Sequence, residues 1–336
     1  MQTKWMKKLT LPVLAMLFIY YATRTEDPAA RNLVDTMSEQ PMQEQSVYST
    51  EDCYTIYALH ESDNLVKTFV PKDEANDPIQ AIFEIFTTKS NQLPVGTTSL
   101  VSPMTKLNDY RLEDGVLTLN VSPEFLDYTT SEEQDVLSSL VWTYTELTDV
   151  DKVKFEIDGE AVSNLNGSLP VSRGLDRSMG INLELDAMNL DDTQLVTLYF
   201  MTDDTKNGML VPVTRLISSS VDPVTYAVNA LIQGPTNHEN YVTVFNHETM
   251  LLNDPVISEG LVSLNFSSEL YYDSQQTKVS STMLNQLVMT LTELDDIEMV
   301  SVSIDGNIKV MDDANHSIAV PTSRFDFEDS TLIEAQ

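Results

Sequence analysis

Four histidines, His60, His238, His247 and His316, are the side chains of this sequence most suited to proton transfer or metal ligation, and their spacing suits neither. They fall singly in turn-like stretches, with no pair at the separation a zinc site needs, and read as solvated residues. Asp203-Asp204-Thr205-Lys206-Asn207-Gly208 sets acidic and amide oxygens ahead of a glycine, as a calcium loop does. Position twelve of such a loop is Thr214, where a bidentate glutamate is required, so the segment reads as a hairpin turn. Two carboxylate pairs, Glu132-Glu133 and Asp295-Asp296, sit at the start and just past the end of long helical patterns. Helix-dipole complementation accounts for the first and loop solvation for the second. No nucleophile elbow, Ser-x-x-Lys pair, zinc helix, phosphate loop or dinucleotide glycine fingerprint is present. The sequence therefore assigns no catalytic, cofactor-binding or metal residue, and the expectation is a protein without cofactors that is not an enzyme.

The most distinctive polar residues are Arg173 and Arg324, which close two copies of a Pro-x-Ser-Arg end in a very acidic chain. A guanidinium there pairs with a carboxylate, and its recurrence at both ends points to an ion pair within each copy rather than with a partner. With 52 acidic against 19 basic residues the net charge is -33, which repels nucleic acid and excludes it as a partner. Yet 42% of the residues are hydrophobic, enough for more than one core in 336 residues. A single cysteine, Cys53, excludes an intrachain disulfide and any multi-cysteine metal site.

The elements that must position these residues begin after an N-terminal segment. Lys4, Lys7 and Lys8 precede an uncharged run from Leu9 to Ala22, the pattern of a secretory signal or short signal-anchor, with no small-residue cleavage site to decide between them. Membrane contact is expected through residues 1–22, and an extracytoplasmic place for the rest. Residues 23–53 are polar without apolar period and read as a stalk spanning about 30 Å on average.

Beyond the stalk the chain repeats itself. Asp77-Pro78 returns as Asp222-Pro223, Leu117 to Glu124 as Val262 to Glu269, Thr145-Glu146-Leu147 as Thr292-Glu293-Leu294, and Ile157-Asp158-Gly159 as Ile304-Asp305-Gly306. Each copy reads β-β-α-β-β-α-β. Strand pairs alternate over Tyr54 to Val70 and Leu195 to Val213. Asp77 and Asp222 cap helices that open on proline, with stripes of Ile79, Ile82, Phe83 and Phe86 or Val224, Ala227, Val228 and Leu231. Asp114-Gly115 and Glu259-Gly260 are hairpin turns, and a second helix buries Val136, Leu140 and Tyr144 or Met283, Leu287 and Leu291. The expected class is α+β, each copy a small sheet with two helices on one face. Domain one covers 54–173, a linker 174–194, domain two 195–324, and an acidic tail 325–336.

Leu198-Tyr199-Phe200, Leu210 to Arg215, Gly234-Pro235-Thr236, Val262 to Glu269, Leu287 to Leu294 and Ile304-Asp305-Gly306 resemble the GerMN sporulation and germination domain. The first copy keeps Val70-Pro71, Leu117 to Phe125 and Ile157-Asp158-Gly159, and lacks the Gly-Pro-Thr and the arginine that follows Val-Pro. The resemblance implies two tandem domains of ring-building type, working between mother cell and forespore as part of an assembly that links the two cells. It implies other sporulation envelope proteins as partners, and a ring or other oligomer as the form. The cysteine by which the family carries lipid has no counterpart at the end of the apolar run. A second reading is a module for cell-wall glycan or peptide (peptidoglycan), for which Tyr226, Tyr241, Tyr271 and Tyr272 are the candidate aromatics.

Overall fold

The helices that open on proline and the tight turns at Asp114-Gly115 and Glu259-Gly260 form where local chemistry demands them. In a computed structural model of the full chain, the structure describes residues 47–72, 77–167, 169–184, 192–203, 208–236, 240–273, 275, 277–326 and 332–334. The expected signal or anchor segment and the stalk as far as residue 46 lie outside them.

The first repeat runs β1 (Val47–Ser49), β2 (Cys53–His60), β3 (Leu65–Pro71), α1 (Pro78–Phe86), β4 (Thr97–Thr98), β5 (Leu107–Glu113), β6 (Val116–Val121), α2 (Glu133–Tyr144), β7 (Lys152–Ile157) and β8 (Glu160–Ala161). The second runs β9 (Thr193–Thr202), β10 (Leu210–Ser218), α3 (Pro223–Gln233), β11 (Tyr241–Val242), β12 (Val256–Ser258), β13 (Leu261–Phe266), β14 (Lys278–Val279), α4 (Ser281–Leu291), β15 (Met299–Ile304) and β16 (Met311–Asp312), and β17 (Leu332–Glu334) pairs with β1. Residues 47–53, given to the stalk by composition, are thus β1, a 3-10 turn and the first residue of β2.

Asp77 accepts from Ile79 N at 3.1 Å and Gln80 N at 3.2 Å ahead of Pro78, and Asp222 accepts from Thr225 N at 2.8 Å ahead of Pro223. Asp222→Ala strands that donor and is expected to lower stability by about 1 kcal/mol. An unchanged urea midpoint would show that the cap does not matter. The Asp114-Gly115 turn has φ of 49° and 75°, and Glu259-Gly260 has 50° and 77°, the left-handed pair that a two-residue hairpin needs. Gly115 is left-handed and a Cβ there would also meet the Asp151 carboxylate, so a substitution at that turn is strained.

The α+β class and the order of elements are as the sequence predicts, with one adjustment to the sheet. The main strands of each repeat divide between two sheets. The hairpins β2-β3 and β9-β10 join edge to edge in a six-stranded sheet ordered β11-β9-β10-β3-β2-β4, β5-β6-β7-β8 and β12-β13-β15 form the other main sheet of each repeat, and β14-β16 and β1-β17 are two-stranded ladders. In those sheets β6 and β7 run parallel, as do β13 and β15, with α2 and α4 as the crossovers. Each crossover helix packs against its hairpin and its parallel strand, α2 on β2 and β7, α4 on β9 and β15. A helical stripe reports that a face is buried, not how many sheets bury it.

The described residues from Val47 to Glu334 make one compact unit. Each repeat has its own core, but Val66 of the first packs in the core of the second, and Tyr57, Leu65, Trp142 and Ile181 form a small core at the junction.

Candidate functional site

The seam between the repeats is built around a residue that cannot donate. Pro212 in β10 lacks an N–H, and the β3-β10 ladder has a single paired position, Leu210 with Lys67. The side chain of Asn182 completes the seam. It accepts from Leu65 N at 2.9 Å and donates to Leu65 O and to Pro212 O, both at 2.7 Å. Asn182 belongs to the segment read as a linker, and its neighbour Ile181 is wholly buried, with Thr214 N donating to Ile181 O at 2.9 Å.

Next to this seam lies a paired cluster of charged and phenolic groups. Tyr57 N donates to Thr143 Oγ1 and Tyr199 N to Thr290 Oγ1, each at 2.9 Å, so each crossover helix is pinned to its hairpin in the same way. The two phenol oxygens then meet at 3.3 Å. Tyr57 donates to Glu146 Oε1 at 2.8 Å and Tyr199 to Glu293 Oε1 at 2.9 Å. Arg177 joins the halves, at 2.6 Å from Glu146 and 2.7 Å from Glu293, with its guanidinium 4.7 Å from the Trp142 ring centre. Arg324 pairs with Glu293, and Lys67 Nζ lies 3.9 Å from Glu146.

Burial by itself pushes the Glu146 and Glu293 carboxyls up. Lys67, Arg177 and Arg324 outweigh it at Glu146, and Arg177 and Arg324 at Glu293, holding both below the usual carboxylate range, Glu146 far below it. Burial, then the neighbouring carboxylates, raises Tyr57 and Tyr199 well above the ordinary phenol value, so both stay protonated as donors. The chemistry is cohesive. Groups from both repeats neutralise and hydrogen-bond one another and fix the repeats as one body.

Arg324 was expected to pair within its own copy, and Glu293 supplies that pair. Arg173 is not its counterpart. The bridges Val153–Leu175 and Val300–Thr322 stand in equivalent places, 147 positions apart in sequence, and the same step carries Arg324 back to Arg177. Arg173 is exposed and makes no ion pair among the described residues. The matching Pro-x-Ser-Arg strings are four residues out of register. Val70-Pro71 is displaced likewise, since Lys67 faces Tyr57 as Pro212 faces Tyr199. The signal for Arg177 was in the sequence, because the constant step relating the second helices reaches it when carried past the last strand.

The other candidates stay apart. His60 is buried with Nδ1 at 2.9 Å from Ser62 Oγ, His247 Nδ1 meets Ile232 O at 2.8 Å, and His316 Nδ1 lies 3.3 Å from Asp312. His238 and residues 204–207 of the calcium-like loop are outside the described residues. Among those described, no three His, Cys, Asp or Glu side chains gather as a metal set. Glu132 folds back on Thr129, Glu133 accepts from Gly167 N, and Asp295 and Asp296 are exposed loop residues. Of the four tyrosines, Tyr241 is buried with its hydroxyl on Glu184, Tyr226 and Tyr271 pack on the core, and Tyr272 is exposed. They do not form an aromatic face.

The two repeats also differ along their outer sheet edges. In the first, edge strand β5 carries Asp109, Arg111 and Glu113, and Arg111 is paired with Glu156 at 2.6 Å. In the second, Val256 takes the place of Arg111 opposite the equivalent position of the neighbouring strand. Val256 is 64% exposed and Ile257 49%, and Met250 and Leu252 are exposed on the same edge, where Leu252 N donates to Asn265 O. One edge is guarded by charge and the other is open.

Comparison with known proteins agrees with this architecture. The family described as "Germane: Sporulation and spore germination" matches residues 55–163 and 197–309. The spore germination protein GerM of Bacillus subtilis (strain 168) is 33% identical over 240 residues, which span 70% of this chain and 66% of that relative. The solved tandem GerMN domains of GerM from Bacillus subtilis are 29% identical, with a TM-score of 0.75 over 81% of this chain and 97% of theirs.

Proposed function

The chain belongs to the Germane family of sporulation and spore-germination proteins, and from that premise we propose that it is a non-enzymatic assembly component, working outside the membrane in a complex between mother cell and forespore. The observation that carries this is the open edge of the second repeat. An outer edge strand with Val256 exposed is a template for another strand, whereas at the same position of the first repeat's edge Arg111, paired with Glu156, places a guarding charge. The buried cluster supports the same reading, because a rigid pair of repeats transmits an edge contact instead of absorbing it. Anchoring through residues 1–22 and a stalk would hold the pair clear of a membrane and raise the effective concentration of each contact.

The double substitution Val256→Lys with Ile257→Lys tests this. Both side chains are on the surface, so stability should change by no more than about 0.5 kcal/mol. In the sporulating organism the variant, present at normal level, is expected to lose heat-resistant or germinating spores to the extent that deletion of the whole protein does. Normal spores from that strain would rule out the edge as the working surface.

A further inference from the structure

The second repeat contains a cavity of about 520 Å³ between α4, β15 and the segment from Asp312 to Asp326. Its origin lies in the comparison of the repeats. The segment after the last strand has one backbone in both, since Val171 N donates to Ser163 O as Ile318 N donates to Val310 O, at the same step of 147 that relates the bridges. In the first repeat this segment closes over its core with Leu165, Leu169, Leu175 and Met179, above Phe155 stacked on Phe125 at 5.3 Å. The equivalent residues of the second repeat are Asp312, His316, Thr322, Asp326 and Val302, and all five line the cavity. The hollow is therefore the space that the first repeat fills with its own side chains.

Its chemistry is divided. The floor is apolar, from Leu284, Val288, Val300 and Val302. The wall carries two carboxylates held in fixed positions. Asp312 is 2% exposed and accepts from His316 N at 2.7 Å, with His316 Nδ1 at 3.3 Å. Asp326, exposed at the rim, accepts from Ser323 N at 2.7 Å and Ser323 Oγ at 2.8 Å. Among the described residues no lysine or arginine lines it, and Lys278, outside the lining, is 2.9 Å from the Asn315 amide oxygen. The size falls in the range of small-molecule sites, where an apolar pocket with a few placed polar groups sets specificity.

We propose that this cavity binds an organic ammonium, a compact apolar body bearing one positively charged nitrogen, with the body on the valine floor and the nitrogen at the Asp312 and Asp326 carboxylates. Charge complementarity selects the cation over a neutral or anionic ligand. The inference does not rest on the assembly role.

The test titrates the full-length chain, with methyl-labelled valines, against phenethylammonium, 2-phenylethanol and 3-phenylpropanoate. Phenethylammonium is expected to shift the methyl signals of Val288, Val300 and Val302, with the alcohol binding about tenfold more weakly and the carboxylate weaker still. Val302→Phe, which restores the residue of the first repeat, should remove binding, and Asp312→Asn should remove the preference for the cation. Equal shifts from all three probes, or none from any, would overturn the proposal. Those wild-type results decide it even where a variant fails to fold.

Discussion

Arg177→Met is expected to lower the unfolding free energy by about 3 kcal/mol, because it leaves two largely buried carboxylates short of the cation they share. Methionine keeps an apolar stem near Trp142 and removes only the charge and its hydrogen bonds. Glu293 retains Arg324 and Tyr199, and Glu146 retains Tyr57 and the more distant Lys67, which places the loss at the low end for a broken buried pair. The pH dependence follows in sign. Both carboxyls titrate lower in the folded than in the unfolded chain, so their stabilisation is complete above the unfolded value of about 4.3 and fades as pH falls through the folded values. The gap between wild type and Arg177→Met should therefore be widest at neutral pH and narrow toward pH 3. Urea unfolding at both pH values measures it. A gap that is absent, or that widens in acid, would mean the cluster is not the electrostatic lock described above.

Trp142→Ala is expected to cost about 4 kcal/mol, from transfer energy plus the cavity left behind. Trp142 is 1% exposed, stands edge-on to Tyr57 with ring centres 5.6 Å apart, and donates to Gly180 O at 3.3 Å. It fills the junction between α2, β2 and the segment that stitches the seam, so its loss loosens the repeats against each other as well as the first repeat. Since Arg177 lies on its ring, the two substitutions should be non-additive. The double variant should lose less than the sum of the singles by about 0.5 kcal/mol or more. Strict additivity in urea unfolding would separate the tryptophan from the charge cluster. The second repeat has Met289 at the place of Trp142, also buried, so the two sides of the junction carry different side chains.

The sequence alone determined what depends on near neighbours. Asp77 and Asp222 cap because their carboxylates reach amides two and three residues on. The glycines after Asp114 and Glu259 turn hairpins because a left-handed φ costs glycine nothing. The helical stripes that the sequence shows are buried in the structure, and the duplication, the α+β class and the GerMN likeness follow from such local patterns repeated in one order. Only the tertiary structure decided what those patterns meet. Tyr57 and Tyr199 are 142 residues apart and touch, and Arg177 reaches Glu293 across 116. An apolar period reports that a face is buried without saying against what, so the division of each repeat between two sheets was not in it. Short string matches misled where chain register mattered, and the bridges of the folded chain put Arg177, not Arg173, beside Arg324's partner. Asn182 shows the reason most simply. Its amide matters because Pro212, thirty residues on in the sequence, leaves a strand edge without a donor just where the first repeat's Leu65 arrives.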